Sequence, residues 1–343
     1  MTKIPKILII YTGGTIGMVK ESKDGALRSF DFSGIKKNIP ELNLLDCHIE
    51  SVSFSEPIDS SNMNTQSWIQ IVDLIEKYYS EVDGFVVLTG TDTMSYTSSA
   101  VSFMLENLAK PVIFTGSQLP IGDFRTDAKE NLITSIQIAS TRENNSPKIQ
   151  EVGLYFEYKL YRANRTKKIS ADQFDAFQSP NFPALCESGV NLSFNHSALL
   201  RANKNVPMVV RKNLDENVVI LKLFPGITEE VIKNTLQIPQ LRGVILETYG
   251  AGNAPTNDWF IDLLKKTIQK GIPIINVTQC ISGTVVMGFY ETSKKLREIG
   301  VVNGRDITTE SAIAKLKYLL GQNLSLEEFK HYFELSLRGE MSI

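Results

Sequence analysis

The chain has 343 residues, of which 42% are hydrophobic and 22% charged, and its formal net charge is −2. This length exceeds the size at which one hydrophobic core usually keeps growing, so we expect two domains. The charge gives no electrostatic footprint for nucleic acid or for an anionic membrane surface, and we expect neither as a partner. A small neutral or zwitterionic substrate is a more suitable partner.

The cysteines and histidines are few, and no Cys-x-x-Cys pair occurs among them. This pattern favours reduced thiols over a disulfide framework or a structural zinc site. The spacing of the histidines does not match that of metal ligands either, so we expect no metal site and no cofactor. The six residues are Cys47, Cys186, Cys280, His48, His196 and His331.

The N-terminal region leads at once into an apolar run, residues 6–11, which predicts a buried parallel strand. The residues before it lack the charged, apolar and cleavage regions of a signal peptide. The run is also too short to span a bilayer. We therefore expect a chain without a leader that resides in the cytoplasm.

Two glycine-bracketed turns follow apolar strands: TGGTIG at residues 12–17, after the first strand, and TGTDT at residues 89–93, after the strand at 84–88. Glycine permits positive φ and lets a ligand approach backbone N–H groups. If the two strands are parallel neighbours, both turns open into one crevice and expose the hydroxyls of Thr15 and Thr91. The spacing is neither a dinucleotide fingerprint nor a P-loop, yet alone the first turn fits a plain tight turn or a phosphate loop equally well.

Further along the chain, strands alternate with amphipathic helices. This alternation predicts an α/β fold with two α/β domains: a larger N-terminal domain (1–190) with a doubly wound, mostly parallel sheet, a linker (191–217) and a smaller C-terminal α/β domain (218–343). The predicted strands are 49–54, 111–115, 152–156, 218–223, 243–247 and 273–277. The predicted helices are 68–75, 95–108, 127–139, 228–236, 258–270, 309–320 and 325–336.

The two turn motifs resemble the signature segments of the L-asparaginase/glutaminase family of bacterial type. The resemblance covers essentially the whole chain, and the longer shared blocks are most similar to the cytosolic type I branch. The other matching blocks are DSSNM at 59–63, TGSQLP at 115–120, RTD at 125–127, NRTKK at 164–168, FDAF at 174–177, GAGNAP at 250–255 and LRGE at 337–340.

The resemblance implies hydrolysis of L-asparagine to L-aspartate and ammonia. Cleaving a carboxamide needs a nucleophile, a base, oxyanion donors and a clamp on the substrate. Neither turn motif holds a histidine, so Lys168 is the available base. Shielding from water lowers the pKa of a lysine, and the neutral amine can then accept a proton. By resemblance, Thr15, Thr91, Asp92 and Lys168 are the catalytic residues.

The resemblance further implies that Thr91, Lys168 and Asp92 form one hydrogen-bonded group, with Thr15 on the other side of the scissile carbon. Either threonine is a possible first nucleophile, and we expect Thr15 to attack.

The substrate's ammonium is expected to meet Asp92, beside the substrate-binding residues Asp59, Ser60, Ser61 and Thr91. The Asp-Ser-Ser-Asn segment is by itself also an ordinary turn or helix-cap sequence. Arg125 and Asp127 are expected to fix their loop and not to touch substrate.

Three features depart from the family pattern. The segment at residues 24–27 lacks the tyrosine that many members carry in the mobile region after the first motif, although we still expect residues 18–29 to act as a lid. Glu247 and Lys167 replace residues expected at the allosteric asparagine site of some type I enzymes, although Cys280 matches that pattern, and the two replacements predict weak or absent cooperativity. No counterpart is found for the carboxylate that type II members take from a neighbouring subunit.

Two alternative functions are considered. The asparaginase-like subunit of the archaeal tRNA-dependent amidotransferase needs an extra N-terminal domain, for which the few residues before the first strand leave no room. A catalytically silent asparagine sensor conflicts with the intact catalytic set.

The resemblance favours asparagine over glutamine, a difference of one methylene worth about 1 to 3 kcal/mol. It also implies a homodimer or a homotetramer.

Overall fold

The structure is a computed structural model that describes residues 4–20, 27–29, 39–288 and 291–342. It divides into two compact units, Met1–Lys212 and Asn213–Ile343. The division lies within the segment 191–217 that we expected to be a linker. The first unit extends beyond residue 190 because the strands Leu192–Phe194 and Val209–Val210 pair with earlier strands of that unit. Short pairings of this kind leave no periodic signal in the sequence.

An eight-stranded sheet organises the first unit. Its strands are β1 (Lys6–Tyr11), β2 (His48–Ser53), β3 (Gly84–Leu88), β4 (Val112–Thr115), β5 (Val152–Phe156), β6 (Lys159–Arg162), β7 (Cys186–Ser188) and β8 (Leu192–Phe194). They lie in the order β8-β7-β6-β5-β4-β3-β1-β2. The five strands from β2 to β5 along this order pair in parallel, and β6, β7 and β8 continue the sheet in antiparallel pairing.

The central strands of this sheet are apolar on both faces because helices cover them. Every residue of β3, β4 and β5 is buried. The helices are α1 (Thr65–Tyr78), α2 (Met94–Met104) and α3 (Ala128–Ser140). The side chain of Asn64 caps α1 by accepting a hydrogen bond from the Ser67 N–H at 3.0 Å, which satisfies one of the free donors of the first turn.

Helix α2 ends four residues before the predicted end at residue 108. Leu105–Glu106 instead forms a two-stranded ribbon with Val209–Val210, and Asn107 adopts a φ of 54°, which a helix does not allow. Three further ribbons pair Met18–Lys20 with Leu27–Ser29, Arg142–Glu143 with Ser146–Pro147, and Lys167–Lys168 with Phe177–Gln178.

The second unit has a parallel four-stranded sheet with its own apolar core. Its strands are β9 (Val218–Lys222), β10 (Gly243–Thr248), β11 (Ile274–Thr278) and β12 (Val302–Asn303). Its helices are α4 (Glu229–Leu236), α5 (Asp258–Gln269), α6 (Glu291–Glu298), α7 (Thr309–Leu320) and α8 (Leu326–Glu334). The predicted fold class, a large mostly parallel α/β domain followed by a smaller one, is confirmed.

The side chain of Lys315 lies fully buried on α7 beside the equally buried Glu340. Its ammonium also donates to the carbonyl oxygens of Phe333 and Leu335, which ties the end of the chain to this helix. Within the ranges described above, no helix has the length and apolarity needed to cross a membrane.

Candidate active site

Four loops leave the carboxyl ends of neighbouring parallel strands in the first unit. Strand β1 pairs directly with both β2 and β3, and β3 pairs with β4. Strands β2 and β3 therefore lie on opposite sides of β1, and such a switch in strand order opens a crevice at this edge of the sheet. The loops after β1, β2, β3 and β4 carry Thr15, Ser60, Thr91 and Gln118 in turn.

Glycines let these loops pack backbone against backbone. Gly14 has a φ of 90°, and a Cβ built on it would lie 2.3 Å from the backbone nitrogen of Gly90, far closer than atoms can approach. A Cβ on Gly90 would in turn lie 2.6 Å from Oγ of Ser60. The two signature turns are thus in direct contact, and the loop that carries Ser60 lies against the second of them.

Thr91, Lys168 and Asp92 form one hydrogen-bonded group. The Lys168 ammonium donates to Oγ1 of Thr91 at 2.8 Å and to Oδ1 of Asp92 at 2.7 Å. The Lys168 side chain is 16% exposed and that of Asp92 is 68% exposed, so the lysine is sheltered while the carboxylate faces solvent. This arrangement places an amine beside a buried hydroxyl, as an amine-assisted nucleophilic site requires.

Lys168 reaches this group through a tight turn that follows β6. The turn, Ala163–Arg165, packs against α2, the helix that begins directly after the second signature turn. Thr166 donates to the carbonyl oxygen of Ala163, its hydroxyl oxygen lies 3.1 Å from Oγ of Ser95, and Asn164 donates to Oγ of Ser102 at 3.2 Å. Small hydroxyl side chains on one face of α2 therefore determine where the lysine lies relative to Thr91.

Thr15 begins a short 3-10 turn, Thr15–Gly17, immediately after Gly14. Its side chain is half-buried, and no hydrogen bond links its hydroxyl to any other residue in the described ranges. Because Gly14 contacts Gly90, the turn that carries Thr15 packs against the turn that carries Thr91.

Asp59 caps the turn that carries the two predicted substrate-binding serines. Its carboxylate accepts from the Ser61 hydroxyl at 2.7 Å and from the Ser61 N–H at 2.8 Å, and these bonds hold the pKa of Asp59 below its ordinary value. Ser60 is buried, and its carbonyl oxygen accepts from the Thr93 hydroxyl at 2.7 Å. Thr93, which the sequence did not single out, thus joins the loop after β2 to the loop after β3.

Two further residues shape the site from the loop after β4. Gln118 lies in the matching block TGSQLP, to which the sequence assigned no role, and it contacts Thr91 through its side-chain amide. Asp127 accepts from the backbone N–H groups of Gln118 and Leu119, so it fixes this loop as expected. Burial raises the pKa of the Asp127 carboxyl, while those backbone hydrogen bonds act in the opposite direction.

Some predicted features fall elsewhere. Much of the expected lid, residues 21–26, lies outside the described residues, including most of the segment that lacks the family tyrosine. Glu247 belongs to the second unit, where it is the second-last residue of β10 and its carboxylate accepts from the Thr309 hydroxyl at 2.6 Å. Among the residues that the structure describes, no cluster of histidine, cysteine and carboxylate side chains could hold a metal ion.

Comparisons with known proteins agree with this geometry. Residues 6–200 match the asparaginase N-terminal domain, and residues 217–333 match the glutaminase/asparaginase C-terminal domain. The chain is 40% identical to L-asparaginase 1 of Escherichia coli over 337 residues, which is 98% of each chain. It is 38% identical over 362 residues to a 60 kDa lysophospholipase of Mus musculus, with 98% of this chain matching 63% of that protein.

A solved structure gives the same result. The crystal structure of L-asparaginase I from Vibrio cholerae has a TM-score of 0.90 and 40% identity, and the match covers 99% of both chains. The resemblance inferred from the motifs is thereby confirmed. The chain belongs to the asparaginase family, whose N-terminal and C-terminal domains it carries in order.

Proposed function

We propose that this protein is an L-asparaginase that hydrolyses L-asparagine to L-aspartate and ammonia. The observation that carries the proposal is the Lys168 ammonium, bonded at once to Thr91 and Asp92 in the crevice that the Thr15 turn adjoins. Family membership and the 40% identity to two proteins named L-asparaginase support the same reaction.

The first half-reaction makes an ester. Oγ of Thr15 forms a bond to the side-chain carbonyl carbon of asparagine, and the carbon–nitrogen bond breaks. The hydroxyl hydrogen leaves with the nitrogen, so the products are ammonia and a β-aspartyl ester on Thr15. Backbone N–H groups around Thr91 are the natural donors to the oxyanion, and such a donor contributes roughly 3 kcal/mol to transition-state stabilisation.

The second half-reaction regenerates the free enzyme. Water, deprotonated on the side of Thr91 and Lys168, attacks the ester carbon and releases L-aspartate and the free Thr15 hydroxyl. The sheltered Lys168 amine lies 2.8 Å from the Thr91 oxygen. This distance supports the assignment of water activation to Thr91 and Lys168, because a base must lie within hydrogen-bonding distance of the group from which it takes a proton.

The substrate's backbone end requires a clamp of mixed charge. The exposed Asp92 carboxylate suits the α-ammonium, and in the loop of Asp59, Ser60 and Ser61 the Ser60 hydroxyl is a donor for the α-carboxylate, while Asp59 and Ser61 hold the turn in shape. We assign substrate binding to these residues together with Thr91. Asparagine is the proposed substrate over glutamine, with discrimination of about 10- to 200-fold for one methylene.

Ammonia release from purified protein tests the proposal. Wild-type protein should release ammonia from L-asparagine, and Thr15→Ala should lose this activity while keeping the thermal unfolding midpoint of the parent. Binding of asparagine without ammonia release would instead identify a sensor. Because one relative is named a lysophospholipase, lysophosphatidylcholine is assayed beside asparagine and glutamine. Fatty-acid release without ammonia release would contradict the proposal.

A trapped intermediate tests which threonine attacks. We expect rapid quenching with asparagine, followed by peptide mass analysis, to find the β-aspartyl adduct on the peptide that contains Thr15. An adduct on the peptide of Thr91 would reverse the two roles.

Regulation by asparagine should be weak or absent. Glu247 is 9% exposed, and its carboxylate accepts from Thr309 and lies 3.7 Å from the Lys222 ammonium. A carboxylate held in this way repels the carboxylate of an amino acid. We expect a hyperbolic saturation curve, and a sigmoidal one would contradict the inference.

We further propose that the protein acts in the cytoplasm as a homodimer or homotetramer. In the part of the chain that the structure describes, Cys186 and Cys280 form no disulfide, which suits a reducing compartment. Cell fractionation tests the location, and light scattering of the purified protein tests the assembly.

A further inference from the structure

The hydroxyl of Thr91 has two polar neighbours. The Lys168 ammonium donates to it at 2.8 Å, and the hydroxyl itself donates to Oε1 of Gln118 at 3.4 Å. Thr91 is only 9% exposed, so these contacts form in a sheltered place. Gln118 is therefore a direct partner of the group to which we assign proton transfer.

The direction of both hydrogen bonds follows from valence. An ammonium carries hydrogens but no lone pair, so Lys168 can only donate to Thr91 while it is charged. The single hydrogen of the Thr91 hydroxyl then needs another acceptor, and Oε1 of Gln118 supplies it.

The other hydrogen bonds of the Gln118 amide fix its orientation. Its Nε2 donates to the carbonyl oxygen of Gln173 at 2.9 Å and to that of Ala171 at 3.2 Å. Exchanging the amide oxygen and nitrogen would place an acceptor against two acceptors, so the oxygen must face Thr91. The carboxylate of Asp127 also holds the Gln118 backbone N–H at 2.9 Å.

We propose that Gln118 is a positioning residue for proton transfer, and this inference rests on the proposed function. Its oxygen holds the Thr91 hydrogen away from Lys168 while the lysine is charged, which leaves a lone pair of Thr91 facing the ammonium. Its nitrogen ties the segment directly after Lys168 to the loop after β4.

The test compares two glutamine variants that lose similar bonds. Gln118→Met removes the acceptor and both donors. Gln322→Met is the matched control, because the Gln322 amide donates to the carbonyl oxygens of Tyr318 at 2.9 Å and Asn213 at 3.2 Å, within the second unit. We expect Gln118→Met to lower kcat for asparagine by about 10- to 100-fold, with KM changed less than about threefold. Gln322→Met should keep the parent kcat.

A third variant separates the two ends of the amide. Gln118→Glu keeps an oxygen toward Thr91 but sets its second oxygen against the carbonyl oxygens of residues 171 and 173, so its kcat should also fall below that of the parent. A Gln118→Met or Gln118→Glu kcat within about threefold of the parent would overturn the positioning role. Failure of the proposed function itself is recognised separately, because wild-type protein would then release no ammonia.

Discussion

Replacing Lys168 by methionine separates chemistry from stability in this protein. Methionine keeps much of the length of the side chain and removes the ammonium that binds Thr91 and Asp92. Lys167 provides the matched control, because it precedes Lys168 in the same two-residue ribbon strand. Successive residues of a strand face opposite sides, so Lys167→Met makes the same change in charge away from Thr91.

The structure predicts a small loss of stability and a large loss of catalytic rate for Lys168→Met. The ion pair with Asp92 is worth at most about 1 kcal/mol because that carboxylate is 68% exposed. The hydrogen bond to Thr91 adds about 1 kcal/mol. Loss of a general base lowers the rate by about 10²- to 10⁴-fold, which corresponds to about 3 to 5 kcal/mol in the activation free energy.

Two measurements on each variant check these values. Steady-state ammonia release gives kcat and KM, and thermal unfolding gives the midpoint. We expect Lys168→Met to lose about 10²- to 10⁴-fold in kcat. Its midpoint should fall by a few degrees, at roughly 2 to 4 °C per kcal/mol or less for a chain of this size. Lys167→Met should keep most of the parent kcat.

Either of two results would refute the reasoning. A Lys168→Met enzyme with kcat within about tenfold of the parent would show that the amine is not the base. Equal losses of kcat in the Lys167 and Lys168 variants would show that net charge near the site, and not the bond to Thr91, controls the rate.

Three further predictions concern packing and burial. Gly90→Ala places a methyl group 2.6 Å from the serine hydroxyl oxygen of the loop after β2, so we expect kcat/KM for asparagine to fall by about 10²-fold; a variant with parent kinetics would contradict the close packing. Lys315→Met leaves Glu340 charged and fully buried, and urea titration should show a loss of about 3 to 5 kcal/mol in the free energy of unfolding; a loss below about 1 kcal/mol would argue against the pair. Burial raises the pKa of the Cys186 thiol to about 12, so at about pH 8 it stays protonated, and iodoacetamide should label the exposed Cys280 first, as peptide mass analysis can check; early labelling of Cys186 would contradict its burial.

Much of the first unit's parallel sheet could be predicted because its strands leave strong local signals. β1 and β3 are continuous apolar runs that end at glycine turns, and the structure pairs them side by side. The residues of β8 gave no such signal. Strand β8 is short and only partly buried, and its pairing with β7 depends on a hairpin and not on periodicity.

The group around Thr91 divides in the same way. Asp92 adjoins Thr91 in the chain, and Lys168 was identified through a motif shared with a family. Gln118 stands 27 residues from Thr91, and its amide acts only because carbonyl groups at 171 and 173 fix its orientation. A glutamine after a strand has no spacing rule that would mark it for this role.

The sequence by itself determined the α/β alternation and the two glycine turns that follow apolar strands, because apolar periodicity and glycine placement act over a few neighbouring residues. The proposed catalytic residues came from the resemblance to a family. The resemblance implied that Lys168, 77 residues from Thr91, bonds to it, and the structure gives the distance; only the tertiary structure decided that Gln118 receives the Thr91 hydrogen. Hydrogen bonds between distant segments depend on distances of a few tenths of an ångström, and those distances are set by how loops pack at the edge of a sheet.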